Sequence, residues 1–142
     1  MDVNEWLAVN TLDFFYYTNL FYESIAEFCT VQDCPTMSAG AGVDYNWTDS
    51  RGKTVKLPAP QYVDYFMTYA QNILNDQTVF PTKSGAEFPR DFLATIRQIH
   101  KQLIRVFVHM YSTHVHQIQA LGLQGHINTL FAHILCLEKS LI

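Results

Sequence analysis

Residues 28–40 read FCTVQDCPTMSAG and hold two of the chain's three cysteines, Cys29 and Cys34, with four residues between them. In a reducing compartment so close a pair is a metal clamp or a redox site more often than a structural disulfide. Further on, RVFVHMYSTHVHQ (105–117) supplies His109, His114 and His116. Cys29 and Cys34 with His109 and His114 offer two sulfurs and two imidazoles, enough for a closed tetrahedral shell. Borderline-soft thiolate with imidazole favours zinc over calcium or magnesium. Five residues of α-helix turn through about 140°, so His109 and His114 meet one ion only if the helix ends or distorts near Ser112 and Thr113. His109 and His116, seven apart, share a face without distortion and compete for the role. Reduced buried thiols beside core histidines are the alternative to any metal.

Around that stretch the periodicity is mostly helical. Residues 9–29 (VNTLDFFYYTNLFYESIAEFC) place Leu12, Phe15, Leu20 and Ile25 at roughly helical spacing, with Asn10 and Asp13 placed to cap the start. Between 35 and 60 the texture changes. Gly40 and Gly42 oppose helix, Tyr45 and Trp47 alternate as in a strand, and TDSRG (48–52) turns the chain toward a second strand near 54–57. Residues 59–76 (APQYVDYFMTYAQNILND) form a helix with Pro60 in its first turn. TVFPTKSGAEFP (78–89) is a loop, a long helix begins near Arg90, and after Gly122 and Gly125 another runs from about His126 to Leu137. The expected fold is mainly α: a helical bundle with a small β-hairpin and one structural zinc site, in a single domain over 1–142. Cys136, between Leu135 and Leu137, is expected to be a small core residue.

Composition sets the class. The 142 residues are 49% hydrophobic and 15% charged, as in an ordinary globular domain. The start MDVNEW lacks the basic-then-apolar order of a secretion signal, and no apolar run approaches the eighteen or so residues of a membrane span. The expectation is therefore an intracellular, cytoplasmic protein, with the nucleus or the cell cortex as further locations, and no membrane insertion. Residues 1–50 carry eight acids and no Lys or Arg, whereas 51–142 carry five acids and all nine bases. Two surfaces with opposite charge preference follow. Nucleic acid is not an expected partner.

Five segments resemble, in order, the signatures of the Mob (phocein) family of kinase coactivators: NEWLAVNTLDFF (4–15), EFCTVQDCPTMSAG (27–40), APQYVDYFMTYAQ (59–71), FPTKSGAEFP (80–89) and RVFVHMYSTH (105–114). The match is closest to the branch that binds NDR and LATS class kinases. The resemblance implies one structural Zn2+ held by Cys29, Cys34, His109 and His114, and so favours His114 over His116. Members of that family usually extend beyond this chain at the amino end, in a segment that carries regulatory phosphorylation sites, so the sequence reads as a trimmed or short version.

Catalysis is not expected. A shell of four protein ligands leaves no open position for water, and the chain has no H-E-x-x-H pair, phosphate loop or nucleophile elbow. Binding remains. Glu5 and Asp13 flank Trp6, Val9 and Leu12, an apolar anchor edged by carboxylates that suits a basic amphipathic helix. The resemblance implies that this surface receives the basic amino-terminal regulatory helices of an NDR or LATS class kinase; a Trp6 packed into the core is the alternative. Arg97, Lys101 and Arg105 recur every fourth residue and drift only about 40° per step, forming a stripe able to hold a phosphate. Lys101 and Arg105 coincide with family positions that bind phosphothreonine peptides of upstream Ste20-type kinases, and Gln102 stands where the family pattern has an arginine. Two functions stay open: a kinase coactivator, and a structural subunit of a phosphatase or kinase scaffold.

Overall fold

The computed structural model describes residues 2–40, 42–83, 85 and 87–141. Its elements are α1 (Val3–Ile25), a 3-10 turn (Ala26–Phe28), β1 (Trp47–Thr48), β2 (Thr54–Val55), α2 (Ala59–Leu74), α3 (Phe92–Thr113), α4 (Val115–Ala120) and α5 (Gln124–Ser140). The mainly helical expectation, with one hairpin, holds. β1 and β2 pair antiparallel, Trp47 opposite Val55 and Thr48 opposite Thr54. The Asp49 carboxylate accepts from the amides of Arg51 and Lys53, both at 2.9 Å, and so closes the turn between them.

α3 is the central element, packed against α1, α2, α4 and α5. Its apolar row, with Ile96, Ile99, Leu103, Val106 and Phe107 all fully buried, meets Phe14, Phe15 and Ile25 of α1, Phe66 of α2 and Ile134 of α5 in one core. At 25 cal/mol per Å2 of apolar area, each such side chain contributes about 1.5–3 kcal/mol. Among its described residues the segment between α2 and α3 has no regular structure but is anchored: Phe80 is fully buried, and the rings of Phe80 and Phe88 lie 5.4 and 4.6 Å from that of Phe92. Ser84 and Ala86, part of the expected loop, lie outside the described residues.

Four expectations need correction. α1 starts at Val3, ahead of Asn10: the Trp6 amide already donates to the Asp2 carbonyl at 3.0 Å, while the Asn10 side chain donates back to the Trp6 carbonyl at 2.8 Å inside the helix. Leu20 is 41% exposed, because the buried row of α1 runs through Thr11, Phe14, Thr18 and Ile25 on the opposite side. Gly125 does not interrupt anything; it lies within α5, and Gly122, with φ of 70°, makes the turn before it. Cys136 is exposed, because Ile134 and Leu137 supply the inward positions of that turn and leave the two residues between them, Leu135 and Cys136, pointing out.

α3 also buries a titratable group. His100 is fully buried, its Nε2 3.0 Å from the hydroxyl of Thr11 and its ring edge-on to Phe14. Burial pushes its pKa down to about 4. An unfolded histidine titrates near 6.5, so below that pH the unfolded chain binds a proton that the folded one refuses. This part of the stability is complete above about pH 6.5 and is lost as pH falls toward 4. Between pH 7.5 and pH 5 the loss is about 2 kcal/mol. His100→Gln should show a pH dependence of urea unfolding flatter by that amount; parallel profiles for the two proteins would refute the assignment.

Candidate functional site

The backbone around the cysteines is held before any ligand is considered. α1 ends in the 3-10 turn, whose last amide bond is donated by Cys29 to the Ala26 carbonyl at 3.1 Å. The Cys34 amide donates to Thr30 at 2.7 Å, and the Cys34 carbonyl accepts from Ala59 at 3.0 Å, which fixes the start of α2. On the other side α3 stops at His114, whose backbone (φ −118°, ψ 22°) leaves the helical region before α4 begins at Val115. That break swings His114 toward His109, and the two rings lie edge to face 5.1 Å apart. The condition set by the 140° rotation is met by a helix end one residue beyond the expected Ser112–Thr113 region.

Four buried side chains meet there. The donor atoms of Cys29, Cys34, His109 and His114 all lie within 4.8 Å of one another. Cys29 Sγ is 3.6 Å from His109 Nε2, and Cys34 Sγ is 3.6 Å from His114 Nε2. A tetrahedral zinc with bonds of about 2.3 Å to sulfur and about 2.0 Å to nitrogen spaces those two donors about 3.5 Å apart. The donor set therefore fits a metal ion of that size. His116 is exposed and is not in the cluster.

The state of the histidines agrees with a ligand role. The Nδ1 of His109 lies 2.9 Å from the Ser38 carbonyl, which can only accept, so Nδ1 carries the proton and Nε2 presents its lone pair to the cluster. Burial holds the His109 pKa below its ordinary value, and burial, then the charge of His109, brings His114 down to about 4. Burial pushes the Cys29 thiol up to about 12 against the hydrogen bond from Tyr22, and burial also raises Cys34. The imidazoles are neutral and ready to ligate, while the thiols without a cation stay protonated. Tyr22 is a contributor that no spacing pointed to; it lies seven residues before Cys29, on the buried side of α1.

The residues expected from the sequence to form a kinase surface, Glu5, Trp6, Val9 and Asp13, lie on α1. Trp6 is 45% and Val9 49% exposed, so Trp6 is not a core residue. Glu5 and Val9 line a shallow cleft against Pro81, Thr82 and Phe88, whereas Trp6 lines two clefts toward the α5 end, one with Phe14, His133 and Cys136. Asp13 is exposed between them.

The basic stripe is divided by the structure. Lys101 and Arg105 line a cavity of α3 and the hairpin with Trp47, Asp49, Tyr69 and Gln102, but Arg97 is not among its lining residues. The Arg97 guanidinium donates to the Leu141 carbonyl instead. Arg105 donates to the Tyr62 hydroxyl at 2.8 Å, and that hydroxyl donates to Gln102 Oε1 at 2.7 Å. The same guanidinium lies 4.6 Å from the centre of the Tyr45 ring. Tyr45 and Tyr62 thus fix the cation of this cavity, and neither could be found from the spacing on α3 because both come from other segments.

Comparison with known proteins gives one family. The sequence matches the Mob1/phocein family over residues 1–141. It is 48% identical over 139 residues to "Maintenance of ploidy protein mob2" of Schizosaccharomyces pombe, covering 98% of this chain and 57% of the relative. It is 47% identical over 139 residues to "MOB kinase activator 2" of Homo sapiens, covering 98% and 58%. "MOB kinase activator-like 1 homolog A" of Dictyostelium discoideum is 46% identical over 136 residues, covering 94% and 64%. The chain therefore spans about three fifths of the length of these relatives.

Proposed function

The chain belongs to the Mob1/phocein family, and on that premise we propose that it is a non-catalytic coactivator, a single Mob-type domain that docks on the basic amino-terminal regulatory region of an NDR or LATS class kinase. The observation that carries this reading is the exposed start of α1, where Trp6 and Val9 stand half in solvent on the same helix as Glu5 and Asp13, with Lys83 and Arg97 at the edges of the adjoining clefts. An exposed apolar anchor with carboxylates on the same helix face favours a cationic amphipathic helix in both affinity and rate of encounter. The relatives named as kinase activators support the same reading.

In this proposal Zn2+ is structural, held by Cys29, Cys34, His109 and His114, and ties the end of α1 to the α3–α4 junction. A filled shell supplies no site for substrate or activated water. Lys101 and Arg105 form a second surface that takes phosphothreonine peptides of a phosphorylated Ste20-type kinase. With Gln102 in place of an arginine, one ionic partner worth about 1.5–3 kcal/mol is absent, and this second contact is at least about tenfold weaker than a site with three cations. Arg97, expected to share this role, is turned to the Leu141 carbonyl and is left out of it.

The test adds the purified chain to a purified NDR or LATS class kinase and follows phosphate transfer to a peptide substrate. A severalfold rise is expected, lost in Asp13→Lys and kept in Arg105→Ala. No rise at saturating protein, or a rise untouched by Asp13→Lys, would defeat the reading.

A further inference from the structure

The spacing of Cys29 and Cys34 admits a redox site as well as a metal clamp, and the fold does not treat the two thiols alike. A cleft of about 480 Å3 opens between the segment that follows Asp33 and the last turn of α3. Of the four clustered side chains, Cys34 and His109 belong to its wall, whereas Cys29 and His114 do not. Asp33, Thr36, Ser38 and Thr113 give the cleft a polar lining, and a roomy polar site holds water and small hydrophilic solutes. Asp33 has no ion pair among the described residues, while Asp44, at the same cleft, pairs with Lys56 at 3.7 Å. The uncompensated charge of Asp33 leaves the mouth negative, which turns away anionic oxidants and disulfides and admits neutral ones.

The second thiol lies within reach of the first. The donor atoms of the cluster are all within 4.8 Å of one another. The sulfurs of a disulfide are about 2.05 Å apart, so closure asks them to approach by less than about 3 Å. The turn between the two cysteines is held by bonds from the Cys34 amide to the Thr30 carbonyl at 2.7 Å and from the Asp33 amide to the Thr30 hydroxyl at 3.1 Å. Cys136, the remaining thiol, is exposed on α5 and is no part of the cluster.

We propose that Cys34 is a modification site, oxidised through this cleft by hydrogen peroxide, a small neutral oxidant, and that Cys29 resolves the product as a disulfide. A cysteine that holds zinc does so as a thiolate, the form that peroxide oxidises. The Cys34 thiolate attacks one peroxide oxygen, the O–O bond breaks, and the departing hydroxide takes up a proton to become water, leaving a sulfenic acid on Cys34. The Cys29 thiolate then attacks that sulfur. The S–S bond forms, the S–O bond breaks, and a second hydroxide leaves and is protonated to water. The peroxide gains two electrons and the thiolate pair loses two. With both sulfurs consumed, His109 and His114 alone make half a shell, and the tie between the end of α1 and the α3–α4 junction is released. The inference rests on the zinc reading and adds to it a neutral oxidant as the agent that undoes the site.

The test uses the full chain carrying Cys136→Ser, which removes the exposed thiol and leaves two. Metal content of the purified protein is measured first, and an absence of zinc defeats the zinc reading and this inference together. The zinc-loaded protein is then treated with hydrogen peroxide beside a chromogenic chelator. The expected result is one zinc released for two thiols lost, an intact mass lower by the two thiol hydrogens, and a Cys29–Cys34 disulfide in the peptide map. Reductant with added zinc should restore the melting temperature. Thr113→Phe, at an exposed position on the cleft wall, should slow the release severalfold with melting unchanged. A brief exposure quenched with a sulfenic-acid probe should label Cys34, a readout that needs no further variant. Zinc retained with both thiols intact, at peroxide that oxidises Cys136 in the wild type, overturns the modification site and leaves the zinc reading standing. Release without a disulfide, or sulfenic-acid label on Cys29 in place of Cys34, overturns it as well.

Discussion

Removing the metal with a strong chelator is expected to lower the melting temperature by about 8–16 °C. A ligand at a thousand times its dissociation constant stabilises the folded state by about 4 kcal/mol, and in a chain of this size each kcal/mol shifts melting by about 2–4 °C. The effect should be local in origin. Among the described residues of 29–45 there is no helix or long strand after the 3-10 turn, and they are held by bonds such as Met37 to Leu57 and Tyr45 to Met37. Without a cation, two buried neutral thiols and two neutral imidazoles have only the 3.6 Å sulfur–nitrogen contacts to replace it. Cys34→Ser should melt at the temperature of the stripped wild type, and added zinc should rescue the stripped wild type but not the variant. Amide exchange should quicken at 29–45 and 109–118 first, while the α3 core holds. Both cysteines are free, so a reductant alone should change nothing. Unchanged melting after chelation, or purified protein with no bound zinc, would remove the metal from the account.

Much of this cluster was readable in the sequence because its candidate ligands announce themselves by type and spacing: Cys29 and Cys34 close together, His109 and His114 close together. The choice of His114 over His116 was not readable from periodicity, since a straight helix favours the wrong pair; it depends on one residue leaving helical backbone at 114. The helices were legible where buried rows were long, as in α3, and misjudged where one face was unusually apolar on the outside. Leu20, Tyr16 and Tyr17 are as hydrophobic as core residues, so composition cannot tell that they face water; only the packing of α1 on α3 decides it. Cys136 failed for the same reason, its neighbours being apolar on both sides. The partners of Arg105 were illegible because Tyr45 and Tyr62 are sixty and forty-three positions away in the chain. α4 is a six-residue helix behind a break, too short for any pattern.

The second large effect is on binding: Trp6→Ala is expected to weaken the kinase regulatory peptide by about thirtyfold or more, the range of an aromatic hot spot. The indole stands between two clefts, one lined by Asn10, Phe14, His133 and Leu137, the other by Val3, Leu93 and Leu141. It is 45% exposed, so a partner that covers it removes apolar area from water that folding leaves wet. Truncation takes away this anchor while the core beneath, Leu7 and Ala8 at 3% exposure, stays closed; melting should move by only a few degrees. Trp6→Phe should recover part of the affinity through its remaining ring. Trp6 and Asp13 are seven residues apart, about 10 Å along the helix, far enough that their losses should combine within about 0.5 kcal/mol of additivity. The double variant Trp6→Ala with Asp13→Lys should therefore bind more weakly by the product of the two separate factors. An affinity equal to wild type in Trp6→Ala would rule out the indole as an anchor, and a collapse of melting in both Trp6→Ala and Trp6→Phe would make it a core residue of the fold.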